Sequence, residues 1–428
     1  MSIALAGACG GSTDATAPVQ DSGPPTVDTD AEAGPIDDPL DTTYPAPHAA
    51  IPPVDFNGGR IMTAPRIVTV TFDGDPMRDR LEAFGDMITA TPWWDAVIDG
   101  YCNKGGAPCI GHGTGGEHVH LATPPAASYT DSSQGAASSI QDFITAHVAD
   151  GTFPAPTPET IYAIYFPDTV SIDLDGSLSC GGSMGAAGFG AYHNTITLPT
   201  PLDSDAGDDS GTDAATPTGP KVNTPYAIMP RCGDEGITTV AASHEFIETA
   251  TDPDIGLAVL TYYMQDQSWA SGGGEVGDVC VDFSGSGADV YMESGFAVQR
   301  SWSNKAAKAS HNPCVPGIPG SVYFNVAPPA GMEQLHLGAG QSKVLTLDAF
   351  SDAPMPADWV VTVKSRGRGG SSASLALALD KSNAHNGSHL HLTVTLKTAP
   401  PSGYAPYTIT STAPDGTVHR WYAAVNAL

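Results

Sequence analysis

The sequence predicts an α/β or α+β domain, with a mixed sheet and a late, chemically loaded helix, followed by an all-β sandwich. Three observations carry this. β-Branched runs alternate with stretches of helical spacing up to about residue 250. The segment SHEFIETATDPD (Ser243–Asp254) lies at the end of that alternation. After Cys314 the texture changes to short alternating runs divided by turn residues.

The first run, RIVTVTF (Arg66–Phe72), is a β-branched strand. DRLEAFGDMITATPWWDAVIDGYC follows with Leu81, Phe84, Met87 and Ile88 on one helical face. Trp93 and Trp94 are expected in the core and at a cleft wall. GEHVHLATP reads as a strand with His118 and His120 on the same side by period-2 alternation. They read as two histidines on a half-exposed strand rather than a metal pair. SSIQDFITAHVADG is a helix with serine at its start and glycine at its end. ETIYAIYFP (Glu159–Pro167) is a proline-bounded strand, and PYAIMPRC is a later one. Between them lie a glycine-rich loop around Cys180 and a low-complexity insertion at about 200–220, expected to be a solvated loop. VYFNV, SKVLTLDAF, WVVTVKS, SLALALD, LHLTVTLK, YTITSTA and RWYAAV then give seven strands at sandwich spacing. Their number is Ig-like, but the Cys…Trp…Cys pattern of antibody domains is absent. These readings divide the chain into 59–316 and 321–428, with the boundary in PGIPG (316–320).

Composition narrows the function classes. The net charge is -30 with only 17 basic residues, so no basic surface is available for nucleic acid. Charged residues make up only 15%, while glycine and proline number 48 and 37, a balance that favours strands, turns and linkers. Of seven cysteines, Cys9 stands apart and six remain, which suggests an oxidising compartment. Neighbourhood pairs them as Cys102–Cys109, Cys180–Cys232 and Cys280–Cys314. LAGAC, ending at Cys9, looks like a bacterial lipobox, although the charged and apolar regions of a signal peptide are missing. Residues 10–58 have no Lys or Arg and little apolar content. They read as a disordered tether, since they cannot bury enough surface to offset ordering entropy. A lipid at Cys9 is the sole membrane attachment expected.

The chemistry concentrates in GITTVAASHEFIETATDP. A helix from Ile237 to Ala250, stopped by Pro253, places Ile237, Val240, Ala241, His244, Ile247, Glu248 and Thr251 on one face. His244 and Glu248 are then one turn apart on the core side, with Glu245 about 100° away. His-Glu-x-x-His is a zinc-hydrolase signature, and here Glu248 replaces the second histidine. A buried His and Glu must pair or share a cation. In the second case Glu245 stands where a general base belongs. GGGEVGDVC (Gly272–Cys280) offers Glu275 as third ligand, as thermolysin-like enzymes take a downstream glutamate, with Asp278 beside it. Asp254, at the metzincin offset, and His193 in AYHN are the other candidates. Oxygen-rich ligation moves selectivity from zinc towards manganese, magnesium or calcium.

SHEFIETATDP, GGEVGDVC and VQRSWSN together resemble the bacterial relatives of the phosphate-induced, Exordium-like secreted proteins. The likeness extends upstream through PRIVTVTF, PWWDAV, HVHLATPP, IYAIYFP and YAIMPRC, over about residues 59–316. It implies an extracytoplasmic protein with a zincin-like core. Carried over by position are His244, Glu245, Glu248, Thr251, Asp252 and Pro253, then Glu275, Asp278 and Cys280, then Trp302, Ser303 and Asn304. The expectation is a surface or periplasmic zinc peptidase-like hydrolase. His244, Glu248 and Glu275 hold the ion and Glu245 activates water. Thr251, Asp252, Tyr192 and Asn304 surround the site, and the substrate is a peptide or another cell-surface molecule. The competing expectation is an inactive binding or structural protein whose site is a metal staple or metal-free.

Overall fold

A computed structural model describes residues 38–122, 126–131, 139–181, 188–200, 219–270, 273–282, 287–366 and 374–428. Cys9 and its lipobox-like segment, and residues 201–218 of the insertion, lie outside them.

The N-terminal part is built on a five-stranded mixed sheet. Its spatial order is Thr114–Leu121, Arg66–Phe72, Thr160–Phe166, Lys221–Pro230, Tyr192–Pro199. The first four strands are mutually parallel, and the last is an antiparallel edge. Thr160–Phe166 is buried along its whole length, as a strand covered on both faces must be. Alternate residues feed two cores. Ile67, Ile161, Ala163 and Ala227 pack with helices α1 (Arg78–Met87), α2 (Pro92–Ile98) and α4 (Glu235–Thr251). Val68, Val70, Tyr162, Ile164, Tyr226 and Ile228 pack on the other side with α3 (Ile140–Ala149). Thr200 N–H donates to the Pro220 carbonyl at 3.0 Å, at the end of the antiparallel pair formed by the last two strands.

Local chemistry explains α4. The Asp234 carboxylate accepts from Ile237 N–H and caps its start, and Pro253 follows its end. The burial pattern departs from the predicted face. Ile237 is 43% exposed, Thr238 and Thr239 are buried, and every residue from Ala242 to Thr251 is buried. The cause is a hairpin, Val290–Glu293 with Phe296–Gln299, laid on the side expected to meet solvent. Thr239 Oγ1 donates to the Ala297 carbonyl at 2.7 Å, and Gln299 N–H donates to Ser243 Oγ at 2.8 Å. Glu245 is therefore enclosed along with His244 and Glu248. Trp93 and Trp94 are fully buried, so neither walls a cleft.

All three expected disulfides are present: Cys102–Cys109, Cys180–Cys232 and Cys280–Cys314. They fit an oxidising, extracytoplasmic compartment. No helix among the described residues is long and apolar enough to cross a membrane.

The C-terminal part is a two-sheet β-sandwich. One sheet orders Phe324–Ala327, Ser342–Ser351, His389–Leu396 and Leu375–Leu379. The other orders Gln334–Leu337, Val418–Ala427, Tyr404–Thr412, Trp359–Ser365 and Asn383–Ala384. The seven predicted runs all lie on strands. The alternation works as expected: Leu345 and Leu347 are buried while Val344 between β-neighbours is 56% exposed. The two parts share one apolar cluster rather than meeting at a bare linker. Trp269 packs edge-on against Trp302 at 5.5 Å and Trp421 at 5.4 Å, and Arg366 donates to the Ser268 carbonyl at 2.7 Å.

From residue 38 the expected tether is ordered. Ala46, Ile51 and Val54 are buried, His48 stacks on Phe350 at 3.5 Å, and Asp55–Phe56 pairs with Tyr262–Tyr263. Asn386 pins the segment. Its amide donates to the Asp41 and Thr43 carbonyls at 2.9 and 2.8 Å, and its carbonyl accepts from Ala46 N–H at 3.1 Å. Lone apolar residues in proline-rich extended chain carry no periodicity, so the sequence hides this docking. Asn386→Ala is expected to cost about 3 kcal/mol, because it strands the buried amides of Ala46 and Ser351, both of which donate to its carbonyl. Limited proteolysis should then cut between residues 41 and 58 in the variant and spare the parent protein.

Candidate metal centre

α4, the antiparallel edge strand and the loop before Cys280 bring seven ionisable side chains together. They are His193, His244, Glu245, Glu248, Asp252, Glu275 and Asp278, and each is at most 6% exposed. His193 arrives by strand alternation: Tyr192 points into the α3-side core, so its neighbour faces α4.

Both imidazoles are oriented through Nδ1. The His193 Nδ1–H donates to Glu245 Oε2 at 3.1 Å, and Nε2 faces Glu275 Oε1 at 3.4 Å. The His244 Nδ1–H donates to Gln299 Oε1 at 3.0 Å. That assignment follows from Gln299, whose amide nitrogen donates to the Gly277 carbonyl at 2.8 Å and leaves its oxygen to accept. Trp93 Nε1–H donates to the Gln299 carbonyl at 2.8 Å and steadies that residue in turn. His244 Nε2 is thereby presented to Glu248 Oε2 at 3.1 Å and lies 3.8 Å from Asp278 Oδ1. Glu248 is handled the same way. Its Oε1 accepts from the Gly277 and Asp278 amides at 3.1 and 3.0 Å, which leaves Oε2 for the cluster. Acceptors that fix the far nitrogen of a histidine are the usual outer support of a metal ligand.

Two glycines of GGGEVGDVC, Gly273 and Gly277, are needed by this packing. A Cβ on Gly277 would sit 2.6 Å from His244 Nδ1 and 2.8 Å from Glu248 Oε1. Gly273, at φ +138°, lets the Asp278 carboxylate lie directly over its Cα. Gly277→Ala is expected to push His244 and Glu248 apart and to weaken metal binding by more than tenfold, read by isothermal titration of the stripped protein.

The electrostatics are those of a site built around positive charge. Burial alone would lower the His244 pKa, but Glu248 and Glu245 outweigh it and raise it to about 10. His193 is also raised, against burial, by Glu275 and Glu245. Burial, then Glu275, pushes Asp252 up to about 8. Burial and the charge of Glu248 raise Asp278 well above the carboxylate range. His193 Nε2, Glu275 Oε1 and Asp252 Oδ2 are buried with no hydrogen-bond partner. These are the atoms a cation would satisfy, and the donor set fits a divalent metal.

Ligand atoms within 4.8 Å of one another fall into two sets among the described residues: His193, Glu248, Glu275 and His244, Glu245, Glu248. The expected trio of His244, Glu248 and Glu275 is thus divided, and His193, ranked last from sequence, enters beside Glu275. Several expected neighbours are elsewhere. Tyr192 packs on the opposite face of the sheet. Asn304 clamps Val54 through two hydrogen bonds of 2.7 and 2.8 Å. Asp254 is held by Arg60 at 3.0 Å. Thr251 Oγ1 donates back to the Ile247 carbonyl. Asp252 does lie at the site, with Oδ1 on Thr261 N–H at 2.9 Å. Gln299 was missed from sequence, although it stands inside VQRSWSN. His118 and His120 are answered by Asp86 and Glu82 of α1 at 2.7 and 2.6 Å.

A cavity of about 250 Å³ reaches this cluster, lined by Tyr263, Gly274, Glu275, Asp278, Ile255 and Leu260. A second cavity of about 300 Å³ lies at the seam with the sandwich, and none of the seven residues lines it.

No family model and no curated protein matches the chain. Among solved structures it is similar to domains 4 and 5 of the S-layer protein SbsC, at 16% identity and TM-score 0.19, over 25% of this chain and 54% of that one. A lipoprotein from Bacteroides thetaiotaomicron matches at 12% identity and TM-score 0.20, over 26% of this chain and 84% of that one. The BIgI domain of the β protein from S. agalactiae, bound to CEACAM1, matches at 12% identity and TM-score 0.16, over 25% and 96%. The chain thus spans about half of the S-layer fragment it matches.

Proposed function

We propose that the chain is an extracytoplasmic metal-dependent hydrolase with a zincin-like core, acting on a peptide or another cell-surface substrate. One observation carries this reading: two buried histidines, each with Nδ1 tied to an acceptor, present Nε2 to carboxylate oxygens in a cluster with unpartnered polar atoms. A mixed sheet with an antiparallel edge, followed by a helix bearing His-Glu-x-x-Glu, supports the zincin-like assignment. His193, His244, Glu248 and Glu275 are the residues that would hold the ion.

A bound divalent ion polarises a carbonyl and acidifies water. This chain's residues supply the rest. The cavity beside Glu275 admits substrate, and Tyr263 on its wall offers a hydroxyl to a developing negative charge. Asp278 fits the proton-accepting role better than Glu245. It borders the cavity and lies 3.8 Å from His244 Nε2, between the ion's ligands and the space a substrate would enter. Glu245 is committed to His193 and does not border the cavity. Asp278→Asn is therefore expected to retain metal while losing at least a hundredfold in turnover, measured on a broad peptide library. Wild-type protein that carries metal but cleaves nothing would favour the second reading, a structural ion in a binding protein. The near-complete burial of all seven residues is what speaks for that alternative.

A further inference from the structure

We propose that the cluster holds two divalent ions, with the Glu248 carboxylate shared between them. This deepens the metal-dependent reading and rests on it. The ligand atoms sort into two sets, and Glu248 belongs to both while each set has its own histidine. Glu248 Oε2 is 3.1 Å from His244 Nε2, and the His193 ring, whose Nδ1 donates to Glu245, comes within 3.8 Å of the same oxygen. The other Glu248 oxygen is fixed by two backbone amides, so the carboxylate cannot swing to serve one side alone. Glu245 divides its labour similarly. Oε2 accepts from His193, and Oε1 turns towards His244 Nε2 at 4.0 Å.

Charge points the same way. Glu245, Glu248, Asp252, Glu275 and Asp278 are five buried acids, and their only ion-pair partners among the described residues are the two histidines. With all five acids ionised and both imidazoles neutral, as full ligation requires, one dication leaves three of the five charges unbalanced and two leave one. Both positions reach the cavity through an acid on its wall, Glu275 beside His193 and Asp278 beside His244.

The test uses the full chain, stripped of metal, titrated with manganese in metal-free buffer and desalted before elemental analysis. Two equivalents are expected in wild type, one each in His193→Ala and His244→Ala, and none in Glu248→Gln. One equivalent in wild type, lost in either histidine variant, would overturn the pair while leaving a single-ion site. No manganese, zinc or calcium bound at all would overturn the metal-dependent reading itself. Electron paramagnetic resonance on the wild type keeps the proposal testable if a variant misfolds. A spin-coupled pair is expected at two equivalents, and an isolated six-line signal there would show that no carboxylate bridges the ions.

Discussion

Glu248→Gln is expected to leave the metal-free protein folded and to abolish metal uptake. The glutamine carbonyl can take the place of Oε1 and accept from the Gly277 and Asp278 amides. Its NH₂ then donates to His244 Nε2, where the acid oxygen stood at 3.1 Å. No buried group is stranded, and one charge leaves a crowded acidic cluster. Melting of the metal-free variant should therefore match or exceed that of metal-free wild type. Metal affinity should fall by well more than the 10–100-fold that an outer-shell partner costs, because a ligand oxygen is lost from both sets. A purely structural His–Glu ion pair predicts the reverse: breaking a buried pair costs about 3–5 kcal/mol, with no metal to lose. The two accounts thus differ in sign on one variant, read by calorimetry and elemental analysis.

Metal affinity is expected to rise with pH, with protons released on binding. In the metal-free fold, protons stand where the cation would. His244 has its pKa raised to about 10 from 6.5, so its contribution to stability is full below 6.5 and is lost as pH rises through about 10. Asp252 is raised to about 8 from 3.8, so the fold favours its neutral form and loses that advantage as pH climbs between those values. Both groups make the metal-free protein less stable in alkali. Ligation requires neutral imidazole and ionised carboxylate, so the ion displaces these protons more easily as pH rises. The difference in melting temperature between loaded and stripped protein should widen from about pH 6.5 to about pH 10. A gap independent of pH would mean that the ion binds elsewhere.

Much of this was legible in the sequence, for physical reasons. Strands buried on both faces read as continuous apolar runs, and sandwich strands read as alternation, so Thr160–Phe166 and Ser342–Ser351 were plain. The capped, proline-stopped α4 declared itself. Long-range placement was not readable. Nothing local says that the edge strand turns His193, rather than Tyr192, onto α4, or that a hairpin beginning 39 residues after the end of α4 delivers Gln299 to His244. The glycines of GGGEVGDVC suggested a bend, but their reason, the close approach of His244 and Glu248 to Gly277, exists only in three dimensions. Residues 38–58 were misread because a few anchored side chains and one asparagine hold them, without any periodic face.

The metal content of wild-type protein, purified without chelator and measured by elemental analysis, tests the central claim most directly. The account predicts stoichiometric divalent metal whose removal lowers the melting temperature and whose return restores it. Metal-free protein of full stability, indifferent to added zinc, manganese and calcium, would contradict it.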